Sequence, residues 1–278
     1  MRFQHIVVAA DESSVSRTAI VTALHWGRQL GARVTVLHVG PLRPIPALAA
    51  ASGAHGAPSE GDEALEDIRR WLEPELARHD GWRMPELASA AGVPSIEISR
   101  FAEDGGADLL VLGRKPRSKG ARLLLGDTAD AVARRSRLPC LFVSGPLELP
   151  RRVLVAIDGT ERGYTVFHAG RTLTAALGCE LSLVTVEPVR PGEPGDLATL
   201  MPSGRSVNLR ASLNGSARAL QIRRGDVVRE ILDELVARQA DVLAIGYHRG
   251  GPPGLLEAGS VARRLLHLAP RAVLTVPL

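Results

Sequence analysis

Two short stretches of this chain place a polar or acidic residue directly behind a glycine, at what reads as a helix start. They are Gly126–Asp127 in LLLGDTADAV and Gly259–Ser260 in LLEAGSVARR. The first N–H groups of a helix have no partner inside it, and the helix dipole makes that end positive, so such a start suits an anion. Serine leaves those donors open and adds a hydroxyl. Aspartate can cap them with its own carboxylate and repel a phosphate. Two further aspartates, Asp11 in VVAADESS and Asp158 in LVAIDGTE, each end a short apolar run, where a carboxylate can cap the helix that follows.

Other chemistry is sparse. Hydrolysis needs a nucleophile or base within reach of the bond it breaks. Apart from Asp11 and Asp158, no residue near the loops qualifies. His248, in GYHRGG, is the best single candidate to touch a ligand. The remaining histidines are scattered, without HxxxH or HExxH spacing or a Cys/His cluster, so no metal site is expected. There is no Walker loop and no nucleophile elbow. A dedicated enzyme is not expected, and a slow ATPase is the most these residues would support.

Composition narrows the class further. Of 278 residues, 45% are apolar and 23% charged, as in a globular protein. No apolar run approaches the roughly 18 residues of a membrane span, and MRFQHIVVAADES has no signal-peptide pattern. Cys140 and Cys179 offer no disulfide framework, so a cytoplasmic setting is expected. Both lysines, Lys115 and Lys119, lie in the basic stretch GRKPRSKGAR. That stretch suits an anion, RNA or an acidic partner as readily as a solvated loop. With aromatics at 3%, stacking platforms for nucleic acid are scarce and nucleic-acid binding is not expected.

The chain is written twice. HIVVAADESS from His5 matches RVLVAIDGTE from Arg152, and LGARVTVLHVGPLRP from Leu30 matches LGCELSLVTVEPVRP from Leu177, both at an offset of 147. ADLLVLG and ADVLAIG, ending at Gly113 and Gly246, stand 133 apart, so the second copy is 14 residues shorter between them. Each copy alternates apolar strands with helices, which predicts parallel βαβ units and an α/β fold. In the first copy, strands are expected over 5–10, 33–39, 82–90, 107–113 and 139–144. Helices are expected over 14–30, 62–79, 95–106 and 126–136. Pro85 marks the third strand as an edge. In the second copy, the breaker-rich segment 191–216 predicts a short or incomplete second helix. The domains are 1–147 and 148–278, and their apolar end strands, CLFVS and AVLTV, are expected to meet.

These motifs resemble those of tandem universal stress proteins, with one domain in each copy. The resemblance implies two doubly wound domains, each with a five-stranded parallel sheet of the adenine nucleotide alpha hydrolase-like kind, paired as an internal pseudo-dimer. A homodimer would be a further possibility. In nucleotide-binding members the last loop reads Gly, two residues, Gly, nine residues, Gly, then Ser or Thr. Here Gly113 and Gly126 keep the spacing, but Pro116 and Asp127 replace the second glycine and the serine. Gly246, Gly259 and Ser260 keep the pattern in the second copy, with Arg249 at the second glycine and Gly250 beside it. Proline offers no N–H, whereas arginine keeps its N–H and adds a guanidinium for phosphate.

The resemblance implies ATP, with or without Mg2+, chiefly in the second domain, and a stress-response role acting on an unidentified protein partner. The implied site residues there are Asp158 at the adenine or ribose, Val186 at the adenine, and Gly246, Arg249, Gly250, Gly259, Ser260 and Val261 around the phosphates. Their first-domain counterparts are Asp11, Val39, Gly113, Gly126 and Thr128, in a site that reads as closed. The alternative is a family member that binds no nucleotide and serves as a structural or interaction scaffold.

Overall fold

The computed structural model describes residues 3–42, 60–115, 127–158, 160–188, 220–248 and 260–278. The segment 191–216 and both loops, 116–126 and 249–259, lie outside these residues. So do Gly126, Arg249, Gly250 and Gly259.

The first half runs β1 (His5–Ala10), α1 (Ser14–Leu30), β2 (Arg33–Gly40), α2 (Glu60–Ala77), β3 (Glu86–Ala91), α3 (Pro94–Asp104), β4 (Leu109–Gly113), α4 (Asp127–Arg135) and β5 (Cys140–Val143). The second half repeats this with β6 (Arg152–Ala156), α5 (Glu161–Leu177), β7 (Glu180–Glu187), β8 (Leu220–Arg224), α6 (Val227–Ala237), β9 (Val242–Tyr247), α7 (Ser260–Leu268) and β10 (Ala272–Pro277). All ten strands form one sheet, in the order β3-β2-β1-β4-β5-β10-β9-β6-β7-β8. Within each half neighbouring strands are parallel. The halves join where β5 and β10 pair antiparallel, Leu141 opposite Leu274 and Phe142 opposite Val273. The chain is thus an internal pseudo-dimer, and the expected meeting of the two end strands is what closes it.

Strands buried on both faces must be apolar throughout, and β1, HIVVAA, is buried along its full length. Helices α1, α2 and α5 cover one face through residues such as Ile20, Leu72 and Phe167. Helices α3, α4, α6 and α7 cover the other through Ile98, Val132, Ile231 and Leu266. Each fully buried aliphatic side chain of this kind contributes about 1.5–3 kcal/mol. Cys140 belongs to this packing, and burial pushes its thiol up to about 12.

Local signals set most boundaries. Ser13 caps α1 by accepting from the Ser16 N–H, and Gly31 ends the helix in the left-handed conformation at φ 64°. Thr160 and Gly178 do the same for α5. A second device recurs at the start of each half. Asp108 accepts the N–H groups of Gln4 and His5, and Asp241 accepts those of Arg151 and Arg152. The edge strand β3 begins at Glu86, four residues after the expected start at Trp82. Trp82 is occupied elsewhere, stacked on His79 at 4.0 Å, and Pro85 has no N–H for a ladder.

Candidate functional site

The strand order reverses between β1 and β4 in the first half, and between β6 and β9 in the second. Crevices at the carboxyl ends of such strands are where sheets of this kind take ligands. Each half has one. The first, about 290 Å3, is lined by Asp11, Ser16, Val39, Gly113, Lys115, Thr128 and Ala129 among others. The second, about 350 Å3, is lined by the corresponding Asp158, Gly163, Val186, Gly246, His248, Val261 and Ala262. The fold therefore gathers the strand-end aspartates, the valines, the glycines and the first turns of α4 and α7 around equivalent clefts. A larger groove of about 450 Å3 between α1 and α2 shares Asp11, but it lies beside helix surfaces rather than at the switch point.

Neither aspartate caps its helix directly. Asp11 Oδ1 accepts the Ser13 N–H at 3.0 Å and the hydroxyls of Ser13 and Ser16. Burial alone would raise the pKa of Asp11. The hydrogen bonds from Ser13 and Ser16, with Lys115 nearby, outweigh burial and hold it below 3.8. Asp158 Oδ1 likewise holds Thr160, accepting its N–H at 3.0 Å and its hydroxyl at 2.7 Å. The aspartate thus braces the capping residue, and the capping residue holds the helix.

The clefts differ at the next position. Ser16 has Gly163 as its counterpart, so Asp158 lacks the donor that Ser16 gives Asp11. A Cβ at Gly163 would stand 2.8 Å from Asp158 Oδ1. The glycine thus lets α5 pack directly against the carboxylate, and Asp158 is exposed on the wall of the second cleft. Sequence matching at the 147 offset already pairs Ser16 with Gly163, but only the fold shows that both face the aspartate.

The two strand-end glycines are needed for different reasons. A Cβ at Gly113 would lie 2.7 Å from the backbone of Val15, because β4 ends directly against the first turn of α1. At Gly246 the nearest atoms are side chains, Leu278 Cδ1 at 2.6 Å and Val166 Cγ2 at 3.1 Å. Val39 and Val186 are half-buried on the cleft wall. Pro94 and Ile98 of α3, and Val227 and Ile231 of α6, form apolar walls that the sequence did not single out. At the second mouth, Arg162 Nη1 lies 3.3 Å from His248 Nδ1, and Val261 is 37% exposed.

The universal stress protein family model matches residues 2–144 and 150–277. A universal stress protein of Methanocaldococcus jannaschii is 30% identical over 148 residues, 52% of this chain and 84% of that protein. In fold, the chain is similar over its full length to the crystal structure of a universal stress protein from Archaeoglobus fulgidus. That likeness has a TM-score of 0.71 at 19% identity and covers 99% of the other chain. A universal stress protein solved in complex with cAMP matches 51% of the chain at 25% identity, with a TM-score of 0.36.

Proposed function

The chain belongs to the universal stress protein family, and from that premise we propose that it is a cytoplasmic stress-response module binding ATP in its second half. The observation that carries this reading is the pair Asp158 and Gly163. Asp11 accepts from Ser16 as well as Ser13 in the first cleft, whereas Asp158 has a glycine in place of Ser16 and lines a cleft of about 350 Å3 in which a ligand hydroxyl or amino group could donate to it. In this reading Asp158 accepts from the ribose or adenine, and Val186 borders the adenine. The N-terminus of α7, beginning at Ser260, faces the phosphates with its free N–H groups. Arg249, Gly250 and Gly259 would contact the phosphates.

The first cleft is the less suited of the two. Asp11 takes one hydrogen bond there, from Ser16, that Asp158 does not, and α4 begins at Asp127. Mg2+ would come with the phosphates, since among the described residues no three His, Cys, Asp or Glu side chains gather to hold a metal. Occupation of the second cleft would present a changed surface to a partner.

The test is a thermal melt of the full chain with millimolar ATP. ATP should raise the wild-type melting temperature and leave a Ser260→Asp variant unmoved. A wild type that ignores ATP would overturn the reading in favour of a scaffold that takes no nucleotide.

A further inference from the structure

One arginine of the first half reaches into the second. Arg114 follows Gly113 at the end of β4, and its N–H donates to Val143 at 2.6 Å. Its side chain is 4% exposed and crosses the junction between the halves. There Nη1 donates to the Leu266 carbonyl at 3.0 Å, and Nη2 donates to the carbonyls of Ala269 and Arg271, each at 2.8 Å. These three carbonyls lie at and just beyond the C-terminal end of α7, where a helix leaves its last carbonyls unpaired and its dipole is negative. A forked, delocalised cation suits that place. Burial draws the guanidinium down to about 10, so it stays charged near neutrality.

The other end of the same helix is a wall of the second cleft, through Val261, Ala262 and Leu265. Helix α7 has nine residues, so it passes a shift at one end to the other as a short rigid rod. The reverse link is built differently. Tyr247 occupies the place of Arg114 in the second half, and its hydroxyl lies 3.5 Å from Asp130 Oδ1, part-way along α4. Asp130 also pairs with Arg134 of its own helix and with Arg263 of α7 at 3.4 Å. Tyr247 thus meets the side of α4, whereas Arg114 takes the C-terminal carbonyls of α7.

We propose that Arg114 is a positioning residue for the second cleft, holding α7 from behind so that its first turn faces the ligand. The first half then serves as the support of the second. The proposal rests on the second cleft being the ligand site, and its test separates the two claims.

The experiment compares hydrogen exchange and calorimetric ATP binding for the full-length wild type, Arg114→Met and Arg114→Lys. Methionine keeps an apolar stem and removes the charge and the fork, whereas lysine keeps the charge alone. In Arg114→Met, amides of α7 should exchange faster from its last turn through Val261, while α3 and α5 keep wild-type rates. ATP affinity should fall roughly 2- to 30-fold well below the melting temperature. Arg114→Lys should lie between, and it carries both readouts if the methionine variant does not fold. Unchanged α7 exchange, or equal quickening in every helix, would overturn the proposal. If the wild type takes up no ATP, the nucleotide reading falls, and the exchange pattern still decides whether Arg114 holds α7.

Discussion

Gly163 lies so close to Asp158 that an added Cβ would come within 2.8 Å of the carboxylate, whereas the matching position in the first half is filled by Ser16, whose hydroxyl bonds Asp11. Two otherwise equivalent clefts thus differ by one donor to their acid. The carboxylate with fewer donors keeps more acceptor capacity for a ligand that donates to it.

Gly163→Ser should therefore close the second cleft from within. Gly163 lies in the first turn of α5, and serine keeps its N–H to Thr160, but the added Cβ must push the Asp158 carboxylate from its place on Thr160, so a lower melting temperature should accompany the change. A hydrogen bond to a charged group is worth about 1.5–3 kcal/mol, so ATP affinity should fall roughly ten- to a hundredfold. Calorimetry on the folded variant checks this. Affinity equal to wild type would show that Asp158 makes no contact with the ligand.

The converse change addresses the first cleft. Helix α4 begins at Asp127, and Asp127→Ser removes a negative charge from the helix start, where a phosphate would be favoured. Combined with Ser16→Gly, which frees Asp11, it should give a second, weaker ATP site measurable as a rise in stoichiometry. If stoichiometry does not change, Pro116, which offers no N–H, is the stronger obstacle.

The fold should also weaken in mild acid. His5 is 6% exposed, with Nδ1 2.9 Å from Arg33 Nη2 and Nε2 2.9 Å from Thr35 Oγ1. Arginine only donates, so Nδ1 accepts and Nε2–H donates to Thr35, whose hydroxyl donates to Glu86 at 3.0 Å. A proton on Nδ1 would repel Arg33 and donate instead to the Gly105 carbonyl, 3.2 Å away. Burial first, then Arg33, holds His5 below 6.5, against smaller opposing effects from Gly105, Glu86 and Asp108. A histidine lowered in the fold gives stability that is complete above the unfolded value of 6.5 and is lost as pH falls through the folded value. His25 and His267 are shifted in the same direction, chiefly by burial. Melting temperatures should hold from pH 8 to about 6.5 and decline below it. The decline should be shallower in His5→Gln, which keeps an acceptor for Arg33 and a donor for Thr35. Parallel profiles for the two proteins would remove His5 from this account.

Much of this architecture could be read in the sequence because duplication writes it twice. The 147 offset pairs Asp11 with Asp158 and Val39 with Val186, and the 133 offset pairs Gly113 with Gly246 and Thr128 with Val261. The fold brings each set to one cleft because apolar runs and helix caps alone fix where strands end. The same offsets align Ser16 with Gly163 and Arg114 with Tyr247, yet the consequences of those pairs were hidden. Whether Ser16 turns to Asp11, or Arg114 crosses to Leu266, depends on side-chain direction in the assembled sheet, and periodicity carries no such information. Trp82 misled for a related reason, since its ring is taken up by His79 and His25 rather than by the strand.

The central claim is that one cleft, the second, is open to an adenine nucleotide. Calorimetric titration of ATP into the full-length chain tests it most directly, with Asp158→Ala measured alongside. The account predicts a single ATP per chain and a clear loss of affinity in Asp158→Ala. No binding at millimolar ATP, two equal sites per chain, or binding indifferent to Asp158→Ala would contradict it.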